Sequence, residues 1–292
     1  MPDRHAARSC ILRATHNERV TPLVAVVRLI HPAPAAAVIL LSAVLGWILL
    51  DRAGQPVDHL LWLTVLAVAG SQIFTGATND LADRDRDRAA GRFGKPLVAG
   101  RLSPEAALWV ASGGLALQLA ASLWLGVGAL ALGLVAASSA AAYNLFLSRT
   151  PYSFIPYLVS FSVLPVWIAA GVGLEPGRVL AAVPLATLLA VSAHLANVLR
   201  DFEVDAATGS RSLAQVLGRG TAIRLAVASA LVTGMGVGLA LLLASQTRPV
   251  SLVLGGLGLV SVGVGATSER RLWYGLLVAA VAWTAAWALS AG

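Results

Sequence analysis

Residues 79–87 read Asn-Asp-Leu-Ala-Asp-Arg-Asp-Arg-Asp, and residues 197–205 read Asn-Val-Leu-Arg-Asp-Phe-Glu-Val-Asp. Both stretches follow the pattern Asn-x-x-x-Asp-x-x-x-Asp in the same register. Residues four apart lie on one face of a helix, so each stretch predicts a stripe of one amide and two carboxylates. The residues that share the pattern are Asn79, Asp83, Asp87, Asn197, Asp201 and Asp205.

The rest of the chain is strongly apolar. Of its 292 residues, 58% are hydrophobic and 12% are charged, whereas a soluble domain carries roughly 25% charged residues. Apolar runs of about 17 to 25 residues are long enough to cross a bilayer as helices. We therefore predict an all-α, polytopic membrane protein with nine transmembrane helices. The nine segments are 23–50, 60–77, 106–123, 127–142, 154–172, 179–196, 225–244, 250–266 and 272–289.

The positions of the basic residues predict the orientation. If the N-terminus lies in the cytoplasm, only three of the 21 Lys and Arg side chains fall in outside segments, namely Arg52, Arg178 and Arg248. This bias follows the positive-inside rule and puts the C-terminus outside. Orientation and anionic headgroups also explain the net charge of +7, so we expect no binding of nucleic acid. We expect a multi-pass protein of the bacterial plasma membrane, with both acidic motifs at the cytoplasmic face.

The N-terminal segment 1–22 is rich in Arg and lacks the apolar core of a secretory signal peptide. We interpret it as a disordered cytoplasmic tail, followed by a single transmembrane domain over residues 23–292. The only cysteine, Cys10, lies in this tail and can form no internal disulfide. The sequence does not indicate an oligomeric state.

The two acidic stripes require a cation between them. Two like charges about 4 Å apart repel by roughly 4 kcal/mol at an effective dielectric constant near 20. Carboxylate and amide oxygens suit Mg²⁺, which often binds one or two carboxylates together with phosphate oxygens and water. We predict that Mg²⁺ joins the two motifs and holds a diphosphate. The expected ligands are Asn79, Asp83, Asp201 and Asp205, followed by Asn197 and Asp87.

The register of the two motifs separates Asp80 from these ligands. The residue that corresponds to Asp80 in the second motif is Val198, so we expect Asp80 to lie behind the ligands or on the phosphate side. Alternatively, the acids only balance nearby arginines on a solvated helix face, as the alternation of Asp and Arg over residues 83–88 suggests. The second motif lacks that alternation. The arginines concerned are Arg84, Arg86, Arg88, Arg92 and Arg200.

The two motifs and their flanks resemble those of a known family. The first motif, followed by Gly94-Lys95-Pro96-Leu97 and Gly100-Arg101-Leu102-Ser103, resembles the first signature of the UbiA-type intramembrane prenyltransferases. The second motif, with Gly209, Ser212-Leu213 and Leu217-Gly218, resembles their second signature, and the resemblance spans residues 28–289. It implies a helical bundle around a lipid-accessible central cavity, capped by the two acidic loops. It also implies Mg²⁺-dependent transfer of a prenyl group from a prenyl diphosphate to an acceptor, often an aromatic or quinone-precursor ring.

The resemblance also assigns roles to single residues. Many members have a tyrosine and then a lysine at the end of the fourth helix; here Tyr143 is kept and Arg149 replaces the lysine. His194 is either a proton shuttle or a packed helix residue. The aromatic residues near the fourth and fifth segments line either the cavity or the membrane interface; they are Tyr143, Phe146, Tyr152, Phe154, Tyr157 and Phe161. The expected catalytic residues are Asp83, Asp87, Asp201, Asp205 and Tyr143. The expected diphosphate ligands are Lys95, Arg149, Arg28 and Asp80, with a solvated loop charge or a membrane anchor as the alternatives for Lys95 and Arg28.

Two other functions remain open on the sequence alone. The two acidic motifs with Mg²⁺ between them would form a diphosphate clamp. A terpene cyclase on the same fold would ionise a prenyl diphosphate in this clamp without using an acceptor. A transporter would also place acids among helices, but usually near the bilayer midplane, whereas both motifs here follow the ends of apolar segments.

Overall fold

The computed structural model describes residues 21–245 and 247–290, and no strand occurs within these ranges, as the all-α prediction requires. A π-helical turn, Tyr143–Leu147, follows α5, and a 3₁₀ segment, Pro176–Ala182, precedes α7. The α-helices are α1 (Pro22–Leu29), α2 (Pro32–Arg52), α3 (His59–Ala89), α4 (Pro104–Trp124), α5 (Val127–Ala142), α6 (Ile155–Gly171), α7 (Val183–Leu199), α8 (Phe202–Ala207), α9 (Leu213–Leu217), α10 (Arg219–Leu243), α11 (Pro249–Gly265) and α12 (Glu269–Ser290).

The long helices follow the apolar segments of the sequence. In the described part of the chain, seven helical stretches are long and apolar enough to cross a membrane. Helices α6 and α11 are apolar but have only 17 residues each. These helices indicate an integral multi-pass membrane protein, while the number of nine spans stays a prediction. The predicted tail, 1–22, lies outside the described residues except for its last two.

The first apolar segment is not one helix. It breaks between α1 and α2 at His31, the one non-glycine residue with positive φ (54°) among those described. Pro32 follows directly and begins α2, and a residue before proline is disfavoured in the α region. Across the break, α3 comes so close that a Cβ on Gly76 would lie 2.7 Å from the Cα of Ile30. The break therefore lies against the helix that carries the first motif.

Helix α3 is longer than a bilayer requires. Its 31 residues span about 46 Å at 1.5 Å per residue, against a hydrocarbon thickness of roughly 30 Å. The helix continues through the first motif and ends at Ala89, after which Gly91 turns the chain with φ of 68°. The first motif thus lies on a rigid extension beyond the apolar part of the helix.

Small residues let the helices around the site approach closely. A Cβ on Gly70 of α3 would lie 2.6 Å from the backbone nitrogen of Gln118 on α4, and one on Gly114 would meet Phe74 N at 2.7 Å. Helix α7, which leads into the second motif, packs against α6, α10 and α12. Close packing through small residues is typical of helices in membranes, and it fixes both motif-bearing helices in the bundle.

Candidate active site

The first motif forms the predicted stripe on α3. Asp83 and Asp87 are buried, and Asn79 donates a hydrogen bond of 3.3 Å to Asn144 Oδ1. Asn144 lies in the π-helical turn and donates back to Thr75 O at 3.0 Å and to Thr78 Oγ1 at 2.7 Å. π-helical turns often occur at functional sites. Here the turn connects α5 to the first motif and places Tyr143 beside it.

The second motif does not form one continuous helix, contrary to the stripe expected from its spacing. Helix α7 ends at Leu199, and Asp201 is the N-cap of the short helix α8. The Asp201 side chain makes no capping hydrogen bond to α8. Asp205 is buried in α8, whereas the Asp201 side chain is 40% exposed. The break turns Asp201 towards the loop that follows α3.

Two arginines join the motifs. Arg86 Nη2 lies 2.7 Å from Asp83 Oδ2, and its Nη1 lies 3.1 Å from Asp205 Oδ1. Arg92 Nη1 lies 3.1 Å from Asp87 Oδ1, and its Nη2 lies 2.6 Å from Asp201 Oδ1. Each guanidinium therefore bridges one carboxylate of each motif. The two motifs therefore face each other, and Arg86 and Arg92 supply the positive charge between them; Mg²⁺ between the motifs stays a prediction.

The arginines within the first motif differ in their exposure. Arg84 pairs with Asp85, whose side chain is 80% exposed, as expected for a solvated face. Arg86 is only 13% exposed. The alternating sequence therefore contains both surface charges and site charges, and the spacing alone does not tell them apart. Arg86 and Arg92 were missing from the predicted site residues.

Asp80 lies behind the carboxylates that face the second motif. It is 2% exposed, and its Oδ1 lies 2.8 Å from Lys95 Nζ and 3.0 Å from His31 Nε2. Lys95 Nζ also lies 2.7 Å from Asp87 Oδ2. Burial alone would lower the pKa of Lys95, but Asp80 and Asp87 outweigh it, and the pKa is raised. Lys95 is therefore a charged member of the cluster, and His31 is a contact that the sequence did not reveal.

The remaining predicted cations differ in position. Arg149 Nη2 lies 3.1 Å from Asp83 Oδ1, so the arginine in place of a lysine reaches the clamp. Arg28, on α1, is exposed and forms no ion pair with the described residues. Its role as a phosphate ligand stays a prediction.

Burial raises the pKa of Asp205, against the opposing effect of Arg86.

A cluster of aromatic residues lies next to the acidic motifs. The ring of Tyr157 is 5.3 Å from Tyr143 in an edge contact and 6.1 Å from Phe161 in a stacked one. Asn197 is a neighbour of both tyrosines. His194 is fully buried, contacts Tyr157 at 5.0 Å and lies 3.0 Å from Ser153 Oγ. This favours the packed interpretation of His194.

The other aromatic candidates are separate from this cluster. Phe146 and Tyr152 are exposed, at 72% and 61%, as expected of residues at the membrane interface. Phe154 is half-buried.

An apolar cavity of about 70 Å³ lies deeper in the bundle. Phe161 belongs to both the aromatic cluster and the cavity wall, so it connects the two. At about one water per 10 to 15 Å³ of such volume, the cavity has room for a few methylene-sized groups. Its lining includes Leu45, Phe161, Leu185, Thr233, Trp283 and Trp287.

The donors present at the clamp fit Mg²⁺. They are carboxylate and amide oxygens, which hard cations prefer. Within those residues, no three acidic or imidazole groups converge into a ready-made metal site. The guanidinium groups of Arg86 and Arg92 lie between the carboxylates instead.

Solved structures with the same fold are known. A UbiA homolog from Archaeoglobus fulgidus, bound to GPP and Mg²⁺, matches with a TM-score of 0.66 and 21% identity, covering 89% of this chain and 98% of that one. The apo structure of a UbiA homolog from Aeropyrum pernix K1 matches with a TM-score of 0.68 and 21% identity, covering 85% and 95%. A structure from work on digeranylgeranylglyceryl phosphate synthase in membranes matches with a TM-score of 0.64 and 16% identity, covering 92% and 99%.

Sequence comparison identifies the family. No curated protein matches the sequence. The profile of the UbiA prenyltransferase family, however, matches residues 39–271, a range that contains both acidic motifs, Lys95 and Tyr143. The family profile covers most of the chain, and the fold agrees with it, so the chain belongs to the UbiA prenyltransferase family.

Proposed function

We propose that this protein transfers a prenyl group from a prenyl diphosphate to an acceptor within the membrane, in a reaction that depends on Mg²⁺. The observation that carries the proposal is the meeting of two acidic motifs at one end of a bundle, beside an aromatic cluster that leads to an apolar cavity. The solved relatives that bind GPP or DMAPP together with Mg²⁺ support the same class of substrate.

The acidic end would bind the diphosphate. The residues that would hold Mg²⁺ are Asn79, Asp83, Asp87, Asn197, Asp201 and Asp205. Bound Mg²⁺ supplies positive charge to the diphosphate oxygens as the leaving group departs. Lys95 and Arg149 lie at this end, within 3.1 Å of motif carboxylates. They can turn from carboxylate to phosphate oxygens over a short distance, and Arg binds phosphate through two parallel hydrogen bonds.

The apolar end would hold the prenyl tail. Along α7, Leu185 in the cavity wall lies 12 residues before Asn197, which corresponds to about 18 Å of helix. The tail would run from the clamp past the aromatic cluster into the cavity. The faces of Tyr143 and Tyr157 can stabilise an allylic cation, and the dry surroundings keep water from reacting with it.

The orientation and the domain are part of the proposal. We infer nine transmembrane helices in one domain, residues 23–292, with the N-terminus in the cytoplasm and the C-terminus outside. The clamp then lies at the cytoplasmic face of the bacterial plasma membrane, where a soluble diphosphate product can leave. The distribution of Lys and Arg supports this orientation.

The acceptor decides between transfer and cyclisation. We propose a hydrophobic acceptor with an aromatic or quinone-precursor ring, because Tyr143 and Tyr157 offer edge and face contacts beside the clamp. The test uses the full chain in lipid nanodiscs with labelled prenyl diphosphates and a panel of aromatic acceptors, with Mg²⁺ and with chelator. A Mg²⁺-dependent product that contains the acceptor supports transfer. A labelled product without any acceptor moiety would indicate a terpene cyclase instead.

A further inference from the structure

We propose that Arg86 is a displaceable countercharge, which holds Asp83 and Asp205 together when no metal is bound and moves to the diphosphate when metal and substrate enter. The inference rests on the proposed function, because it takes the same carboxylates as metal ligands. It assigns to Arg86 a role in setting the metal affinity of the clamp.

The guanidinium group of Arg86 occupies the position of a bridging cation. It lies 2.7 Å from Asp83 Oδ2 and 3.1 Å from Asp205 Oδ1, and all three side chains are at most 13% exposed. The other oxygen of Asp83 accepts a hydrogen bond from Arg149 at 3.1 Å. Mg²⁺ requires its ligand oxygens at about 2.0 to 2.1 Å. An ion that bridges Asp83 and Asp205 would therefore take the position that the Arg86 guanidinium occupies.

Arg86 is easier to displace than Arg92. The backbone nitrogen of Arg92 donates to Asp87 O at 2.9 Å and closes the turn after α3. Arg86 lies inside α3, whose backbone hydrogen bonds do not depend on this side chain. In addition, Arg86 Nε is buried with no hydrogen-bond partner among the described residues. A buried donor without a hydrogen-bond partner raises the free energy of this side-chain position. Arg86 loses that penalty when its side chain moves away.

The freed side chain remains close to the substrate. Arg86 lies three residues after Asp83 on the same helix face, so a diphosphate held between the motifs is within reach of its guanidinium. Diphosphate attracts the guanidinium with charge and matches its fork of donors. Arg86 would thus exchange two carboxylates for phosphate oxygens. The residue that corresponds to Arg86 in the second motif is Val204, so this function belongs to the first motif alone.

This exchange has a thermodynamic consequence. If the pairs with Asp83 and Asp205 exist only in the metal-free state, removing Arg86 destabilises only that state. The affinity for metal in the absence of diphosphate must then rise. Removing a phosphate contact must at the same time weaken the binding of a diphosphate. If Arg86 merely supported the folded clamp in all states, its loss would weaken the binding of metal as well.

The test measures metal binding rather than turnover. The full chain is titrated in nanodiscs with Mn²⁺, observed by electron paramagnetic resonance, first alone and then with an unreactive geranyl thiodiphosphate. We expect Arg86→Gln to bind Mn²⁺ about tenfold more tightly than the wild type, and the analogue about tenfold more weakly at saturating Mn²⁺. Arg84→Gln removes an equal charge two residues away, from a pair with an exposed acid, and should change neither affinity.

Folding is checked with a conservative variant. Arg86→Lys keeps the charge but replaces the fork of guanidinium donors with one ammonium on a shorter side chain, so its Mn²⁺ affinity should lie between those of the wild type and Arg86→Gln. Unchanged or weaker Mn²⁺ binding by Arg86→Gln overturns the role of Arg86 and leaves the proposed function intact. If the wild type binds no Mn²⁺, or if Asp83→Asn and Asp201→Asn bind Mn²⁺ as well as the wild type does, both the clamp and the exchange are wrong.

Discussion

Lys95 and the buried Asp80 form an ion pair, in which Nζ lies 2.8 Å from Oδ1. His31 Nε2 approaches the same oxygen at 3.0 Å, so Asp80 is committed to two groups of this chain rather than facing the second motif. We infer that Asp80 positions Lys95 and does not bind the metal directly.

This assignment predicts different effects for the two acids of the first motif. Asp80→Asn keeps the shape of the side chain but removes the main countercharge of Lys95, so we expect a raised KM for prenyl diphosphate with a smaller change in kcat. Asp83→Asn removes a proposed metal ligand and should lower kcat far more. Steady-state release of diphosphate measures both. A more severe loss in Asp80→Asn than in Asp83→Asn would show that Asp80 is a metal ligand.

Both motifs should be required for the reaction. Asp83→Ala and Asp201→Ala each remove one side of the clamp, and we expect either change to abolish the Mg²⁺-dependent consumption of prenyl diphosphate in purified membranes. The matched control is Asp85→Ala, since the Asp85 side chain is 80% exposed and pairs only with Arg84 among the described residues. It should retain the activity of the wild type. Near-normal turnover in either clamp variant would contradict a site shared by the two motifs.

The sequence predicted the helical class because the length of an apolar run directly reflects the thickness of a bilayer. It also separated Asp80 from Asp83, since the repeated register compares two copies of one site. It did not predict the break at His31, where the following proline competes with an otherwise helical pattern. It also did not predict the break at Asp201, whose carboxylate pairs with Arg92 from the loop after α3.

Contacts between distant residues were harder to predict. Arg84 and Arg86 have the same local pattern, yet only Arg86 meets Asp205, 119 residues away. Which arginine is buried depends on where α8 lies, and no local spacing contains that information. The contact of His31 with Asp80 depends in the same way on the close approach of Ile30 to Gly76.

Asn144 should support both the stability and the metal site. It is buried, donates to Thr75 O and Thr78 Oγ1, and accepts from Asn79. Asn144→Ala should lower the free energy of unfolding by about 1 to 3 kcal/mol, the usual cost of unsatisfied buried partners. We also expect weaker binding of Mn²⁺, because Asn79 loses its anchor. Thermal unfolding and Mn²⁺ titration in nanodiscs measure the two effects.

The control for Asn144 lies in the same π-helical turn. Leu145 is 59% exposed, so Leu145→Ala should leave both the unfolding temperature and the Mn²⁺ affinity close to those of the wild type. A loss of stability in Asn144→Ala without any change in Mn²⁺ affinity would limit Asn144 to a structural role.

Trp287 should limit the length of the prenyl chain. It lines the apolar cavity and is 5% exposed. The adjacent Ala288 O accepts a hydrogen bond from Arg52 Nη1, at the end of α2 that is farther from His31 and the clamp. The ring of its neighbour Trp283 is fixed in the cavity wall, because its Nε1 donates to Gly255 O at 3.1 Å and the ring lies against Gly258. Trp287→Leu enlarges the cavity while keeping an apolar side chain. We expect the preferred substrate to lengthen by about one isoprene unit, since deleting buried atoms leaves a cavity that surrounding groups fill only in part.

Competition between prenyl diphosphates of different length measures this change as a ratio of kcat/KM values. Trp109→Leu is the matched control, because Trp109 is 78% exposed on α4 and lies outside the cavity wall. It should leave the ratio unchanged. If Trp287→Leu lowers kcat/KM for all chain lengths by the same factor, the tail does not reach Trp287, and the end of the chain must lie elsewhere. If the ratio shifts towards longer chains only in Trp287→Leu, the prenyl tail occupies the cavity and Trp287 closes its far end.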